Sequence, residues 1–453
     1  MVITKDKSFY KSLFLLALPI SAQSLITFLV GLADNVMIGT LGDAAVSGVY
    51  MGGQVQTLLQ ILTMGIEGAI LVLAAQYWGR ADKASVRKIA AIGIRVSLLL
   101  GLILGLVCAI APSFVISLFT PDEEIIRLGA EYLFIVSFSF AFFSATQAMI
   151  ASMRSVEIAK IGLYVSAISL AVNVALNYVL IFGAFGLPAL GVRGAAIATL
   201  ASRILETVIM IVYVFIIDKR LALRVGELLK LDTALLCDFA KYGAPIVAAE
   251  LVWAVNMLAN SAIMGRQTAD GVVAALSIAN AMNNLTYVAT NGMAGAISII
   301  TGKTVGEGRL DKMREYAKTV QLIFIGVGIV TGIAVLLLRG PFISMYGVSE
   351  AAKWQANALI AVVAIAAAGS AYQATGLLGM VKSGGDVTFV LKNDLFFVVC
   401  VVIPSALVAT YLGAPPFVVF ACLKCDQILK CIVAAIKINS FNWMKNLTRD
   451  TKT

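Results

Sequence analysis

Hydrophobic residues run along this chain in blocks too long for the apolar face of a soluble helix. Such runs lie near 12–39, 46–78, 88–111, 125–152, 159–183 and 191–217, then near 243–266, 271–302, 316–338, 353–381, 388–411 and 414–438. A hydrocarbon layer of roughly 30 Å takes about twenty apolar residues of helix to cross. Lipid offers the backbone no hydrogen-bond partner, and a helix satisfies its own amides. The runs are also too continuous for the alternating strands of a barrel. The pattern predicts an all-α integral membrane protein of about twelve transmembrane helices.

The polar positions between the runs set an orientation. With the N-terminus inside, Lys5, Lys7, Lys11, Arg80, Lys83, Arg87, Lys88, Arg154 and Lys160 fall on the cytoplasmic side, as do Lys382, Lys392 and the clusters at Lys219–Lys241, Lys303–Lys318 and Lys437–Lys452. The other side holds Arg127, Arg193, Arg266, Arg339 and Lys353. That bias, about five to one, predicts a multi-pass protein of the cytoplasmic (inner) membrane with both termini cytoplasmic. The basic opening is followed by an apolar run far longer than a signal peptide's, so the first helix is expected to stay.

The two sets of six runs repeat at a shift of roughly 227 residues. Pro19-Ile20 recurs as Pro245-Ile246, Gly39 as Gly265, Leu32-Ala33-Asp34 as Leu258-Ala259-Asn260, and Gly79 as Gly306. "SATQAMIASMRSVE" is echoed by "YQATGLLGMVKSGGD". Six is even, so both halves enter the membrane in one sense, and parallel repeats of this kind place a substrate site between them. The expected division is an N-terminal six-helix bundle over 1–217, a cytoplasmic linker over 218–241, a pseudo-symmetric C-terminal bundle over 242–440 and a cytoplasmic tail over 441–453, polar and frayed from Lys445 onward.

Composition removes other classes. The chain is 60% hydrophobic and only 13% charged, too little polar surface for a soluble protein of 453 residues. The net charge of +9 is scattered between apolar runs instead of forming a basic patch, which argues against nucleic acid. There is no histidine, and Cys422 and Cys425 form one C-x-x-C without a second pair, so neither zinc nor an enzyme's nucleophile-base arrangement is indicated. No G-x-x-x-x-G-K-[ST] provides for a nucleotide. No cofactor is expected.

Ionisable residues inside a bilayer are expensive and mark function. Asp34 lies deep in the first helix, about four turns from Pro19, which frees a backbone carbonyl and can kink the helix. A carboxyl in a low-dielectric site can take up and release a proton near neutral pH. Asn173 and Asn177 share one helix face, and Thr199 can bring a hydroxyl to them. These oxygens suit Na⁺ or a hydrogen-bond network around Asp34, and equally suit packing between helices. Glu250 and Glu67 add carboxyls, while Gln54, Asn256, Asn260 and Asn283 can line a wet cavity. Tyr50, Trp253 and Tyr287 can stack on an aromatic cation. Arg203 and Glu206 are spaced to pair on one helix, and Lys424, Asp426 and Lys430 are spaced to neutralise one another or snorkel.

Four stretches, "LALPISAQSLITFLVGLADNVMIGTLG", "AAQYWGRADKASVRK", "NVALNYVLIFGAFGLPALGVRGAAIAT" and "SFNWMKNL", resemble the multidrug and toxic compound extrusion (MATE) family, in order and over roughly residues 8 to 445. That family belongs to a superfamily that includes lipid-linked oligosaccharide flippases. The resemblance implies two six-helix bundles around a cleft, alternating access, and export of cationic lipophilic small molecules against H⁺ or Na⁺. It makes Asp34 the principal coupling residue, Pro19 the bend of its helix, and Asn173, Asn177 and Thr199 a cation site to which Ala195 contributes a carbonyl. A monomer in the lipid bilayer is expected.

Two departures bear on coupling. Members with the best-formed cation site carry aspartate where this chain has Asn177. Members that couple through the second half carry a glutamate in helix seven and an aspartate in helix ten, whereas Glu250 falls about a turn early and helix ten has no acid between Lys353 and Lys382. Coupling through Asp34 is therefore expected. The alternatives are a lipid-linked precursor flippase, which would want a cavity lined by arginine or lysine, and a membrane-embedded enzyme.

Overall fold

In the computed structural model the described residues are 3–186, 188–267 and 269–449, and among them there are helices and no strands. The helices are α1 (Lys7–Ile38), α2 (Asp43–Gly79), α3 (Lys83–Ile110), α4 (Pro112–Ser117), α5 (Glu123–Ser137), α6 (Ser139–Ser155), α7 (Lys160–Phe182) and α8 (Gly191–Val212). They continue as α9 (Thr233–Gly265), α10 (Val272–Gly306), α11 (Leu310–Ser344), α12 (Glu350–Gln373), α13 (Val387–Phe396), α14 (Ile403–Tyr411), α15 (Pro416–Lys424) and α16 (Asp426–Ser440). Wide π-helical turns at Ala374–Val381 and Phe397–Val402 extend α12 and join α13 to α14.

Local chemistry sets several of these ends. Asp82 caps α3 by accepting from the Ser85 amide at 3.0 Å, and Asp122 caps α5 by accepting from Glu124 and Ile125. Gly183 ends α7 at φ 73°, a left-handed conformation that glycine adopts without strain.

Ten helical segments among the described residues are long and apolar enough to cross a membrane, and α5 with α6, bent by 48°, makes an eleventh. The twelfth expected run, 414–438, is divided: α15 and α16 meet at Cys425, and Lys424, Asp426, Lys430 and Lys437 lie along them. Short pieces carrying four charges read less clearly as one span than the other runs do.

Packing is inverted relative to a soluble bundle. On α3, Gly101 and Gly105 are buried where they meet the Phe140 and Ser137 carbonyls, while Leu102, Ile103 and Leu106 point outward. Small residues let helices approach closely in lipid, where burying leucine gives no hydrophobic gain.

The chain forms two compact units. One comprises Met1–Ser21, Ala75–Arg80 and Ala248–Thr453, and the other Ala22–Ala74 and Ala81–Val247. The chain thus passes from one unit to the other within three residues of Pro19 and again within three residues of Pro245. The first unit's core gathers Met264, Ile278, Leu359, Ile360, Val402 and Phe420; the second's gathers Leu59, Ile116, Leu133, Val136 and Phe140.

Within the first unit the ends of α2 and α10 cross at glycines. A Cβ on Gly79 would collide with the Lys303 carbonyl oxygen, and one on Gly306 with that of Gln76. These are the two glycines matched by the internal repeat.

The expectation of a frayed tail is corrected as far as residue 449; residues 450–453 lie outside the described residues. Trp443 is fully buried and donates its indole N–H to the Ile438 carbonyl at 2.9 Å. The Lys445 amide donates to the Gly384 carbonyl at 2.7 Å, and the Leu447 amide to Oε1 of Gln76 at 2.8 Å. Gln76, itself fully buried, donates to the carbonyls of Ser383 and Lys445. Asp386 receives Lys437 at 2.7 Å and Lys445 at 2.8 Å. Burial pushes the Asp386 carboxyl up, but the hydrogen bonds from Lys437 and Lys445 outweigh it and hold the group below the ordinary carboxylate range. The segment is polar in sequence because its backbone and side chains are spent on partners.

Candidate functional site

The second unit brings the polar residues of α1, α5, α7 and α8 together. Asp34 is half-buried on α1, and its Oδ1 accepts from Nδ2 of Asn177 at 2.5 Å. The same Nδ2 reaches Oδ1 of Asn173 at 3.3 Å, one turn back on α7. Asn173 and Asn177 are both buried, as is Thr199 on α8. Thr199 lies beside the hydroxyl of Tyr132, a buried residue on α5. Gly52 makes room for that ring, since a Cβ there would lie 2.8 Å from Cδ1 of Tyr132.

Arg203 is the nearby cation, and its charge acts on Asp34. It is not free: it donates to both carboxylate oxygens of Glu206, at 2.8 and 3.0 Å, and lies 4.9 Å over the Phe143 ring. The pair expected on α8 therefore forms, and the side-chain hydrogen bond to Asp34 comes from the Asn177 amide. Ala195 is buried in the apolar cluster that contains Tyr132 and Phe140.

The donor set of one carboxylate, two amide oxygens and a hydroxyl is what a hard monovalent cation takes. Oδ1 of Asn177 is buried and has no hydrogen-bond partner, so the site has an unused acceptor beside the carboxylate. The same set can equally hold a proton on Asp34, with the Asn177 amide donating to the carboxyl oxygen that stays bare.

Other expected residues fall elsewhere. Pro19 is buried within α1, which continues through it. Gln54 is half-buried and Tyr50 largely exposed on α2. Glu67 faces Arg154 at 3.8 Å, and Arg154 also donates to Oε1 of Gln23 at 2.8 Å, one turn beyond Pro19. In the first unit, Glu250 faces Lys382 at 3.7 Å. Lys430 binds Asp394 at 2.9 Å and Asp426 at 3.1 Å, so part of the expected α15–α16 neutralisation occurs, with Asp394 added and Lys424 left out. Trp253, Asn256, Asn260 and Asn283 line a cavity of about 200 Å³ in the same unit, with Tyr287 and Lys424. Among the described residues no cluster of three histidine, cysteine or acidic side chains could hold a metal ion.

Sequence reasoning missed Tyr132, Arg154 and Lys382. Tyr132 carries no motif; its signal is the pair of small residues Gly48 and Gly52 that face its helix. The charge pattern makes Arg154 and Lys382 cytoplasmic anchors, and both instead reach intramembrane carboxylates.

The family model described as MatE matches residues 19–179 and 245–408, two segments that begin at Pro19 and Pro245. A "Probable multidrug resistance protein NorM" of Thermotoga maritima is 25% identical over 336 residues, 74% of this chain and 72% of that protein. The protein of the same name from Rhizobium meliloti is 33% identical over 208 residues, 45% of this chain and 44% of its own length. Among solved structures, the "Crystal structure of MATE in the straight conformation" superposes with a TM-score of 0.86 at 17% identity, covering 97% of this chain and 99% of that one. The "Crystal structure of MATE in the bent conformation" gives 0.84 at 18% identity, with the same coverage. At these identities the structural likeness bears on the fold alone.

Proposed function

The chain belongs to the MatE family, a family of multi-pass membrane transporters and not of enzymes, and from that membership we propose a secondary active exporter that exchanges cationic lipophilic compounds for H⁺ or Na⁺ by alternating access. The observation that supports it is the Asp34–Asn177–Asn173 cluster: one intramembrane carboxyl whose neighbours are amides and a hydroxyl, with the one nearby arginine held by its own glutamate.

Ionised Asp34 attracts a cation into the second unit. A proton on that carboxyl, or Na⁺ held by Asp34, Asn173, Asn177 and Thr199, removes the attraction and releases the compound. Asn177 follows either event, because its amide can donate to the carboxylate or turn its free oxygen to the ion. The bend belongs to Pro19, where the helix lacks one backbone hydrogen bond. The ion gradient supplies the driving force, so no cofactor is required. The protein works as a monomer in the cytoplasmic membrane, with both termini on the cytoplasmic side, as its flanking charges favour.

Ethidium efflux from proteoliposomes under an imposed pH gradient or an imposed Na⁺ gradient tests the reading. Efflux under either gradient that disappears in Asp34→Asn supports it. Failure under both, with transport of a lipid-linked precursor instead, replaces it with the flippase reading.

A further inference from the structure

The cavity of the first unit is lined by a lysine where the Asp34 site carries a carboxylate. Its walls carry Asn256, Asn283 and other amides, an aromatic pair formed by Trp253 and Tyr287 with centroids 6.3 Å apart, and Lys424. Among the described residues no carboxylate lines it.

Lys424 differs from the other lysines in this part of the chain that are not exposed. Lys382, Lys430 and Lys437 each have a carboxylate within 3.7 Å. Among the described residues none lies within 4 Å of the Lys424 ammonium, which instead sits 5.6 Å over the Phe420 ring. Asp426 is two residues away, but its carboxylate is turned to Lys430 at 3.1 Å. An ammonium in a partly buried, asparagine-lined cavity attracts an anion more strongly than it would in water. Beside it, Oδ1 of Asn256 is buried without a partner, so the wall also offers an acceptor to a ligand's O–H or N–H.

We propose that this cavity is a binding site for aromatic anions, with the ring of an aryl carboxylate on the Trp253–Tyr287 wall and its carboxylate on Lys424. The cavity, about 200 Å³, is smaller than the roughly 300–1,000 Å³ that drug-sized ligands fill, which sets the occupant at one or two fused rings. The site is separate from Asp34 and does not depend on how transport is coupled. It would widen the range of compounds to aryl carboxylates.

The test uses the full chain in phosphatidylcholine nanodiscs, where no anionic headgroup competes, and compares 2-naphthoate with 2-naphthylmethylammonium by calorimetry. The two probes share a ring and differ in the sign of charge. Wild type is expected to bind 2-naphthoate at least about tenfold more tightly. Lys424→Met should abolish that preference, Lys424→Glu should reverse it, and Lys424→Arg should keep it. Should the buried substitutions fail to fold, Asn284→Asp places a carboxylate at the exposed rim of the same cavity and should lower the preference several-fold. Equal binding of the two probes by wild type, tighter binding of the ammonium, or a preference that persists in Lys424→Met or in Asn284→Asp would overturn the assignment.

Discussion

Nδ2 of Asn177 lies 2.5 Å from Oδ1 of Asp34, a contact that joins α7 to α1 across 143 residues of chain. One carboxyl is therefore read by one amide, and the two together respond to whatever cation or proton arrives. Changing either partner should alter coupling in a distinct way.

Asp34→Asn removes the charge while keeping the shape. Gradient-driven ethidium efflux should fall by at least about tenfold, with insertion and the thermal midpoint preserved. Efflux at the wild-type rate would remove Asp34 from the mechanism.

Asn177→Asp adds a second carboxyl at hydrogen-bond distance from the first. Two carboxylates so close favour sharing a proton or binding a cation over standing ionised together. The variant should show a Na⁺ dependence of efflux stronger than wild type, measured as a lower half-saturating Na⁺ concentration.

Gly79→Ala and Gly306→Ala each put a methyl group into a backbone carbonyl of the other helix. Overpacking of this kind typically costs about 1–3 kcal/mol, and thermal unfolding in nanodiscs should show it. Gly53→Ala on α2 has open space around its new Cβ, so it should be neutral or stabilising by up to ~1 kcal/mol.

Arg154→Gln withdraws the cation that faces Glu67 and keeps a donor for Gln23. Removing one member of a buried ion pair costs about 3 kcal/mol or more, whereas replacing both members by apolar groups can be nearly neutral. The single variant should unfold at lower temperature than the double variant Arg154→Met with Glu67→Met.

The docking of residues 443–449 should depend on pH. Asp386 is held below the ordinary carboxylate range, so its contribution is fully present above that range and is lost as pH falls through its folded value. Amide protection factors at Lys445 and Leu447 should decrease on acidification from about pH 7 to pH 3, and Asp386→Asn should lower them at both.

Much of this architecture is legible in sequence because lipid imposes a simple rule, that apolar runs must reach about twenty residues. The repeated prolines and glycines are visible for a similar reason, since their roles depend on backbone geometry alone. Asn173 and Asn177 can be placed on one face by spacing. Pairings between distant segments are not visible in that way: Glu250 gives no sign that Lys382 will face it, and Lys424 looks no different from Lys430 until Asp394 chooses one of them. The docked segment after α16 reads as a tail because its partners, Gln76 and Ser383, lie far up the chain.

That distance also orders the protein's assembly. Gln76 and Leu447 are 371 residues apart, so at synthesis rates of ~5–20 residues per second the buried amide waits roughly 20–70 s for its partner. The unit made of Ala22–Ala74 and Ala81–Val247 can fold while the ribosome is still making the second half of the chain. The other unit takes its first strip from Met1–Ser21 and its closing contacts from residues 443–449, and it cannot be finished until those are made. Until then the start of α1 and the end of α2 lack their final neighbours.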